Sequence, residues 1–315
     1  MLTLQRFRNL FVRLILAANV VFALFLGASV CLPPSRAAKG PNPGSLTLAV
    51  IGDYGVCDTH SGFDFTCTAE MAVAGVVHSW RPAAILTTGD NTYRSGTSRE
   101  IQGAQKPYRD YIESGNFFPS FGNHDWGTGS LQPSLEYFHL KSAYYKKEFS
   151  GLLTAYLLDM NPEDPAGASA SSGQARWLAT ELASSTTPWN VTFDHEPPYS
   201  SCGHRSSPAY RWIAARGVDM VFSGHNHQYE RLEDPNYASS ANLPYIVIGS
   251  SGAPLIMDCH QAITGQKKAI YGVFGAVKLD VTRVTLTATF YDLNGVAHDS
   301  VSLTKPADRV PASSP

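Results

Sequence analysis

The chain of 315 residues contains 43% hydrophobic and 16% charged residues, which excludes intrinsic disorder as its main state and allows a sizeable core. Its 26 acidic and 24 basic residues leave a net charge of −2, so the electrostatic attraction that dominates nucleic-acid binding is missing and no nucleic-acid partner is expected. The length fits one α/β domain of roughly 250 residues once an N-terminal stretch is set aside.

The N-terminus has the features of an export signal. Residues 1–13 contain three arginines and no acidic residue, and an apolar run from Leu14 to Leu32 follows. Two prolines end this run, and the small residues after them predict cleavage after Ala37. An uncleaved membrane anchor is the alternative, because the run approaches the roughly 20 apolar residues that span a bilayer.

Export sets the expected organisation and compartment of the chain. We predict a signal peptide over 1–37, a globular domain over 38–304 and a flexible tail over 305–315. The protein is then secreted or otherwise extracytoplasmic, in a periplasm, at a cell surface or in a lysosome-like compartment. A membrane is a partner only if residues 14–32 are retained.

Four cysteines remain after export removes Cys31, and they allow three pairings. Cys57 and Cys67 lie in one short loop, whereas Cys202 and Cys259 each follow a predicted strand. These positions favour the pairs Cys57–Cys67 and Cys202–Cys259. Four buried free thiols are the alternative, which an oxidising compartment disfavours.

Five short apolar runs end in polar residues, which is the pattern of buried strands that deliver a side chain at their carboxyl ends. They are Ser45 to Ile51 before Asp53, Ala83 to Thr88 before Asp90, Phe117 to Phe121 before Asn123, Trp189 to Phe193 before His195, and Val218 to Phe222 before His225. Helical stretches such as Thr68 to Trp80 and Gln174 to Ser184 separate them, and this βαβ rhythm predicts a largely parallel sheet. Because sites in such sheets form outside the carboxyl ends of the strands, we expect the five polar termini to converge on one crevice.

The C-terminal third contains strands with little helix. They are Tyr245 to Gly249, Gly272 to Leu279, Val284 to Tyr291 and Val301 to Leu303. This pattern predicts a second sheet packed on the first, and Asn294-Gly295 predicts a hairpin turn.

The candidate metal ligands all carry an oxygen or imidazole donor. They are Asp53, Asp90, Tyr93, Asn123, His195, His225 and His227. Such donors suit iron, manganese or zinc. His225 and His227 project to the same side of an extended segment, so each can face one of two adjacent metals, and the Asp90 carboxylate can bridge them. Two metals roughly 3.5–4 Å apart stabilise both the attacking and the leaving oxygen of a displacement at phosphorus.

Each motif has a structural explanation when it is taken singly. Gly52-Asp53 often marks a turn, Asn123 can be a turn residue, and His195 can be a hydrogen-bonded core histidine. Their joint occurrence at five predicted strand ends favours a metal centre.

The order of these motifs resembles that of a known family. The motifs are Gly52-Asp53-Tyr54-Gly55, Gly89-Asp90-Asn91-Thr92-Tyr93, Gly122-Asn123-His124-Asp125, Asp194-His195 and Gly224-His225-Asn226-His227. They resemble the calcineurin-like metallophosphoesterases, and Tyr93 narrows the resemblance to purple acid phosphatases of the small, single-domain type. The resemblance runs from Leu46 to Asp292. It implies an α/β fold, a four-layer α/β/β/α sandwich of two mixed sheets with the metal site at the carboxyl ends of the strands.

The resemblance also implies a dinuclear centre of Fe(III) and a divalent Fe, Zn or Mn ion. Asp53, Asp90, Tyr93 and His227 would hold the ferric ion, and Asp90, Asn123, His195 and His225 the divalent ion. In the family, charge transfer from the tyrosinate to Fe(III) gives the purple colour. His124 would contact the substrate phosphate, and His204 would protonate the leaving alcohol. Asp194 departs from the small or apolar residue expected before His195 and is a candidate partner of a histidine ligand.

The sequence therefore predicts a secreted acid phosphatase that hydrolyses small phosphomonoesters by in-line attack of a metal-bound hydroxide. The alternatives are a phosphodiesterase or nucleotide pyrophosphatase of the same superfamily, or a non-catalytic metal-binding or redox protein. Tyr93 disfavours the first alternative, and the presence of both His124 and His204 disfavours the second.

Overall fold

The computed structural model describes residues 44–57, 64–93, 95–202, 212, 217–233, 243–259 and 261–306, without the side chains of residues 64–66. All of these residues belong to one compact unit, Pro43–Pro315. The predicted signal peptide, His204 and the tail beyond residue 306 lie outside the described residues. Every helix in the described ranges is too short or too polar to span a bilayer.

The described elements comprise strands and short helices. The strands are β1 (Ser45–Ile51), β2 (Ala84–Thr87), β3 (Phe117–Phe118), β4 (Tyr145–Phe149), β5 (Leu153–Leu157), β6 (Trp189–Phe193), β7 (Met220–Ser223), β8 (Tyr229–Glu233), β9 (Pro244–Ile248), β10 (Gln266–Ile270), β11 (Gly275–Thr282), β12 (Thr285–Asp292) and β13 (Ala297–Thr304). The α-helices are α1 (Asp64–Ser79), α2 (Ser98–Ala104), α3 (Arg109–Glu113), α4 (Gln132–Tyr137) and α5 (Gly173–Ala183). The strands form a first sheet in the order β13-β12-β11-β1-β2-β3 and a second in the order β10-β8-β9-β7-β6-β5-β4.

Strand β1 shows why the fold has layers. Successive side chains of a strand point to opposite faces, and every residue from Leu48 to Ile51 is buried. Leu48 and Val50 face the second sheet, where they belong to the same apolar core as Phe193 and Ile248. Ala49 and Ile51 instead pack with residues of α1. The first sheet is therefore covered by the second sheet on one face and by a helix on the other.

The second sheet repeats this arrangement. Ala155 and Leu157 of β5 join the core between the sheets, whereas Tyr156 packs with Ala175 and Leu178 of α5 on the outer face. Helix α5 begins after Ser172, whose Oγ accepts the N–H of Ala175 at 3.1 Å. Helices thus lie outside both sheets, and the expectation of a four-layer α/β/β/α sandwich of two mixed sheets is confirmed.

The assignment of strands to sheets differs from the sequence prediction in two ways. The C-terminal strands do not form the second sheet by themselves, because β11 pairs antiparallel with β1 and adds β12 and β13 to the first sheet. Strand β9 enters the second sheet between β7 and β8. Neither sheet is largely parallel. In the first sheet β1 pairs parallel with β2 and antiparallel with β11, and in the second sheet β9 pairs parallel with β7 and antiparallel with β8.

Strand β3 is shorter than predicted. It contains only Phe117 and Phe118, because Pro119 has no N–H to continue the ladder. The chain then makes a single bridge from Phe121 to Asp159, which follows β5 of the second sheet. The sheets are therefore joined directly at the edge where the ligand loops lie.

Both predicted disulfides are present, so the favoured pairing is confirmed. Cys57 is bonded to Cys67, which ties the loop after β1 to helix α1. Cys202 is bonded to Cys259, which ties the loop after β6 to the loop before β10. The predicted hairpin turn is also present between β12 and β13, with Gly295 at φ 74° and its N–H bonded to the Asp292 carbonyl at 3.0 Å.

Candidate metal centre

The structure brings all seven predicted ligands to one edge of the sandwich. Asp53 follows β1, Asp90 and Tyr93 follow β2, Asn123 follows β3, His195 follows β6, and His225 and His227 follow β7. The donor atoms of Asp53, Asp90 and His195 all lie within 4.8 Å of one another, and these three side chains are buried. Their role as metal ligands stays a prediction, but the convergence that the strand ends imply is present.

Three donors form a compact group on one side of the centre. Tyr93 Oη lies 3.2 Å from Asp53 Oδ1 and 3.0 Å from His227 Nε2. His227 Nε2 lies 3.3 Å from the same Asp53 oxygen. Since metals bind oxygen and nitrogen donors at about 2.0–2.2 Å, donors about 3 Å apart can contact one ion together. The first group therefore has the spacing of a metal site.

A second group surrounds His195. Its Nε2 lies 3.1 Å from Asn123 Oδ1, 3.2 Å from His225 Nδ1 and 3.4 Å from Asp90 Oδ2. Asn123 is the exposed member of the group, whereas His195 and Asp90 are buried. This set combines two imidazoles with an amide and a carboxylate oxygen, which suits a divalent transition metal.

The backbone holds the two aspartates between these groups. Asp53 Oδ2 accepts the N–H of His225 at 2.9 Å, and Asp90 Oδ1 accepts the N–H of His124 at 3.0 Å. Asp53, Asp90 and His225 have φ of 53°, 50° and 66°, in the left-handed region that non-glycine residues rarely adopt. Such strain clusters at functional sites, where surrounding contacts fix it. Three of the seven ligand positions are therefore held in conformations that a free loop would avoid.

Glycines allow the ligand loops to approach each other. Gly89 has φ 90°, and a Cβ at this position would lie 2.6 Å from His195 Nδ1. A Cβ at Gly122 would collide with the Asp90 carboxylate. The Gly-Asp and Gly-Asn pairs of the sequence therefore mark close packing of ligands, as well as turns.

Backbone carbonyls orient two of the imidazoles. His195 Nδ1 lies 2.8 Å from the Thr88 oxygen, and His227 Nδ1 lies 2.8 Å from the Pro254 oxygen. A carbonyl can only accept, so Nδ1 carries the proton and the Nε2 lone pair is directed at the centre. The sequence could not indicate these partners, because every residue offers a carbonyl.

The expectation for Asp194 is wrong. Its carboxylate accepts the Ser223 hydroxyl at 2.7 Å, whereas the partner of His195 is the Thr88 carbonyl. Burial raises the pKa of Asp194 to about 8, against the hydrogen bond from Ser223 and the charge of His195, which lower it.

Charges within the centre favour a bound cation. Burial alone would raise the pKa of Asp90, but the charge and hydrogen bond of His195 outweigh it and hold this pKa at about 2. Against the effect of its own burial, Asp90 raises the pKa of His195 to about 10. Burial, together with the charges of Asp53 and Asp90, raises the pKa of the Tyr93 phenol well above its usual value. A highly charged metal ion would displace these protons and take their place beside the carboxylates.

The two predicted catalytic histidines have different outcomes. His124 is half-buried, and its ring centre lies 4.6 Å from that of Tyr93, so it adjoins the first donor group. His204 lies outside the described residues, two positions beyond Cys202, and its role stays a prediction.

Sequence reasoning assigned no role to Asp125, which the structure places between two of the ligand loops. It is buried beneath the centre, where burial and then the charge of Asp90 raise its pKa to about 7. Its carboxylate accepts N–H groups of Asn91 and Gly122, which flank ligand positions. The sequence signal that could have identified it is its position directly after Asn123-His124, at the end of a ligand motif.

Comparisons with known proteins agree with this geometry. A family model described as calcineurin-like phosphoesterase matches residues 46–229. The chain is 22% identical to tartrate-resistant acid phosphatase type 5 of Rattus norvegicus, with 89% of this chain and 97% of that protein covered. It is 32% identical to purple acid phosphatase 22 of Arabidopsis thaliana over 39% of this chain, and spans only 30% of the length of that relative.

A solved structure shows the same fold. Purple acid phosphatase PPD1 from seeds of yellow lupin (Lupinus luteus) superposes with a TM-score of 0.69 at 18% identity, over 86% of this chain and 55% of that one. The family model covers more than half of the chain and includes all seven predicted ligands, from Asp53 to His227. The chain therefore belongs to the calcineurin-like phosphoesterase family and is a metallophosphoesterase similar to purple acid phosphatases.

Proposed function

We propose that the protein is a secreted acid phosphatase that hydrolyses small phosphomonoesters at two metal ions. The ferric ion is assigned to Asp53, Asp90, Tyr93 and His227, and a divalent Fe, Zn or Mn ion to Asp90, Asn123, His195 and His225. The observation that carries this proposal is the position of Tyr93 Oη, 3.2 Å from Asp53 and 3.0 Å from His227. A phenol in that donor group distinguishes a ferric site from a site for divalent ions alone.

The donor chemistry supports both the metals and the substrate class. Two carboxylates and a tyrosinate are hard anionic donors, which suit Fe(III). Their three negative charges do not neutralise a trivalent ion and a divalent ion together, so the centre keeps positive charge that attracts a phosphate. When bound, the two ions supply charge stabilisation to the attacking and leaving oxygens of an in-line displacement.

The remaining roles fall to residues of the chain. His124 adjoins the Tyr93 ring, and its backbone N–H is bonded to the Asp90 carboxylate, so its imidazole is held beside the expected phosphate position. A donor at that place stabilises charge that develops on the phosphate oxygens. His204 is assigned the proton that the leaving alcohol requires.

Secretion is part of the proposal. The arginine-containing N-terminus with its apolar run and the two disulfides support an oxidising, extracytoplasmic location. Cytosolic proteins rarely keep such bonds, because glutathione and thioredoxin reduce them.

The test compares a phosphomonoester with a phosphodiester. The purified protein, loaded with iron and zinc, is assayed at acidic to neutral pH with p-nitrophenyl phosphate and with bis(p-nitrophenyl) phosphate. We expect faster turnover of the monoester, and a 10²- to 10³-fold lower kcat (order of magnitude) in His124→Ala. His298→Ala is the matched control, because His298 lies on β13, the edge strand three positions from β1, and contacts Asp292 at the end of β12. Preference for the diester would support the phosphodiesterase alternative, and inactivity of the fully loaded protein would support a non-catalytic metal-binding role.

A further inference from the structure

Asp125 has an unusual set of hydrogen bonds for a buried carboxylate. It is fully buried. Its Oδ1 lies 3.1 Å from the N–H of Asn91, and its Oδ2 lies 3.3 Å from the same N–H, 3.0 Å from Asn91 Nδ2 and 2.8 Å from the N–H of Gly122. Asn91 directly follows Asp90, and Gly122 directly precedes Asn123. One carboxylate therefore joins the two loops that carry these predicted ligands.

Asn91 extends this connection to the strands. Its Oδ1 accepts the Thr87 hydroxyl at 2.6 Å, at the end of β2, and its Nδ2 also donates to the Ser120 carbonyl at 2.7 Å, just after β3. Like Asp125, it is buried. Both the oxygen and the nitrogen of the Asn91 side-chain amide are thus bonded, and the side chain is fixed between two neighbouring strands of the first sheet.

The buried N–H groups of Asn91 and Gly122 depend on Asp125 as their acceptor. A buried N–H that loses its acceptor cannot turn to water, so the Asp90 and Asn123 loops would have to move to find other partners. Metal ligands need their positions fixed to about 0.5 Å. The connection through Asp125 therefore controls a distance that metal binding depends on.

The ferric group is held differently. Tyr93 and Asp53 lie 3.2 Å apart, and the Pro254 carbonyl orients His227. Tyr93 and His227 contact Asp53 and each other. In contrast, Asp90 directly precedes Asn91, and Asn123 lies two positions before Asp125. Asp90 is assigned to both ions, but Asn123 is assigned to the divalent ion alone. A change at Asp125, which also holds the Gly122 N–H beside Asn123, should therefore weaken the divalent site more than the ferric site.

We propose that Asp125 and Asn91 form a positioning pair that sets the distance between Asp90 and Asn123. This distance determines the affinity of the site for the divalent ion. This inference rests on the proposed dinuclear centre. It assigns no contact with substrate to either residue, and it concerns the affinity of one of the two metal sites.

The experiment measures each metal separately. Asp125→Asn keeps the size of the side chain but replaces one acceptor oxygen with an amide that faces N–H donors. The purified full chain is loaded with iron, and zinc binding is followed by competition with a chelator, with iron content and the visible absorption band recorded in parallel. We expect zinc affinity to fall about 10- to 100-fold, the range for loss of groups that orient metal ligands, with one iron per chain and the band retained.

Asp194→Asn is the matched control. Asp194 is also fully buried and adjoins a predicted ligand, but its carboxylate accepts the hydroxyl of Ser223, the last residue of β7, and not the N–H groups of the Asp90 and Asn123 loops. This variant should keep the zinc affinity of the parent protein within about three-fold, well below the effect expected for a positioning group. Asn91→Ala serves as the second variant if Asp125→Asn does not fold, and it should show the same selective loss of zinc.

Unchanged zinc affinity in Asp125→Asn or Asn91→Ala would overturn the inference, as would equal loss of iron and zinc in a folded variant. These readouts do not need phosphatase activity. A parent protein that binds both metals but hydrolyses no phosphomonoester would contradict the proposed function and leave the metal measurements as a separate result.

Discussion

The two sheets supply the metal centre with different kinds of donor. Of the seven predicted ligands, the loops after β1, β2 and β3 of the first sheet contribute the oxygen donors, namely Asp53, Asp90, Tyr93 and Asn123. The loops after β6 and β7 of the second sheet carry only imidazoles, namely His195, His225 and His227. Each proposed ion takes donors from both sheets. The centre therefore forms only when the sheets pack together, and its geometry reports on the whole sandwich.

The centre has two halves, the oxygen donors of the first sheet and the imidazoles of the second sheet, and different hydrogen bonds hold each half. A buried side-chain network around Asp125 and Asn91 holds the loops of Asp90 and Asn123, two of the four oxygen donors of the first sheet. Single backbone carbonyls, from Thr88 and Pro254, orient two imidazoles of the second sheet, those of His195 and His227. Side chains in the first half can therefore be changed one at a time, whereas the orientation of the imidazoles is built into the backbone. This difference makes the first half the better target for mutation.

The largest effect is expected for Asp90→Ala. Asp90 lies between the halves, with Oδ2 3.4 Å from His195 Nε2 and Oδ1 bonded to the His124 N–H. Its removal should release both metals and lower kcat by at least about 10³-fold, because the main charge stabilisation is lost. Elemental analysis and a phosphatase assay measure this. Asp280→Ala, on β11, should retain both metals, and loss of only one metal from Asp90→Ala would exclude the bridging role.

Removing each disulfide in turn compares how much the loops beside the two sheets contribute to the free energy of unfolding. Cys57–Cys67 closes a separation of 10 residues beside the first sheet, and Cys202–Cys259 closes one of 57 residues beside the second. Loop-closure entropy predicts that double substitution to serine costs about 4 kcal/mol for the longer loop and about 3 kcal/mol for the shorter. Urea unfolding of both variants checks the order. A greater loss on removing Cys57–Cys67 would show that the first half depends more on its covalent link than loop length implies.

A pH-dependent effect is expected for a buried carboxyl group at the second sheet. Burial raises the pKa of Asp159 from 3.8 to about 8, despite hydrogen bonds from Asn161 and Trp126 that lower it. Between these values the folded chain holds a proton that the unfolded chain releases. The resulting stability is present below about pH 4 and is lost as the pH rises towards 8.

Asp159→Asn should remove this dependence. Between pH 5 and 7, the free energy of unfolding of the metal-free variant should therefore fall with rising pH less steeply than that of the metal-free parent. The difference in slope should be about 1.4 kcal/mol per pH unit. Urea titrations at several pH values measure the slope. Parallel pH profiles for the parent and the variant would mean that Asp159 is ionised in the folded protein.

The strands that carry ligands were the most predictable part of the fold. Ser45–Ile51 and Trp189–Phe193 have the bounds that their apolar runs indicate, because a strand buried on both faces leaves a continuous apolar signal. Strand β4, with the sequence YKKEF, was not predicted, since it is an edge strand whose polar residues face water. The pairing of β1 with β11 was also missed, because sequence runs do not specify which strands become neighbours.

The site was predictable in its donors but only partly in its supports. The five strand ends indicated the side chains that meet, as Asp53 and His195 do. The role of Asp194 was wrong because adjacency in sequence does not determine the direction of a buried side chain. The hydrogen bonds of Asp125 could not be predicted, because the sequence does not show which N–H groups the folded loops place around its carboxylate.

The central claim is that the seven side chains hold two metal ions, with Tyr93 on Fe(III). The most direct test is the visible absorption spectrum and metal content of the purified protein and of Tyr93→Phe. We predict two metal ions per chain and a visible band in the parent, and a folded Tyr93→Phe variant without the band. A parent protein with one metal per chain, or an unchanged band in Tyr93→Phe, would contradict the claim.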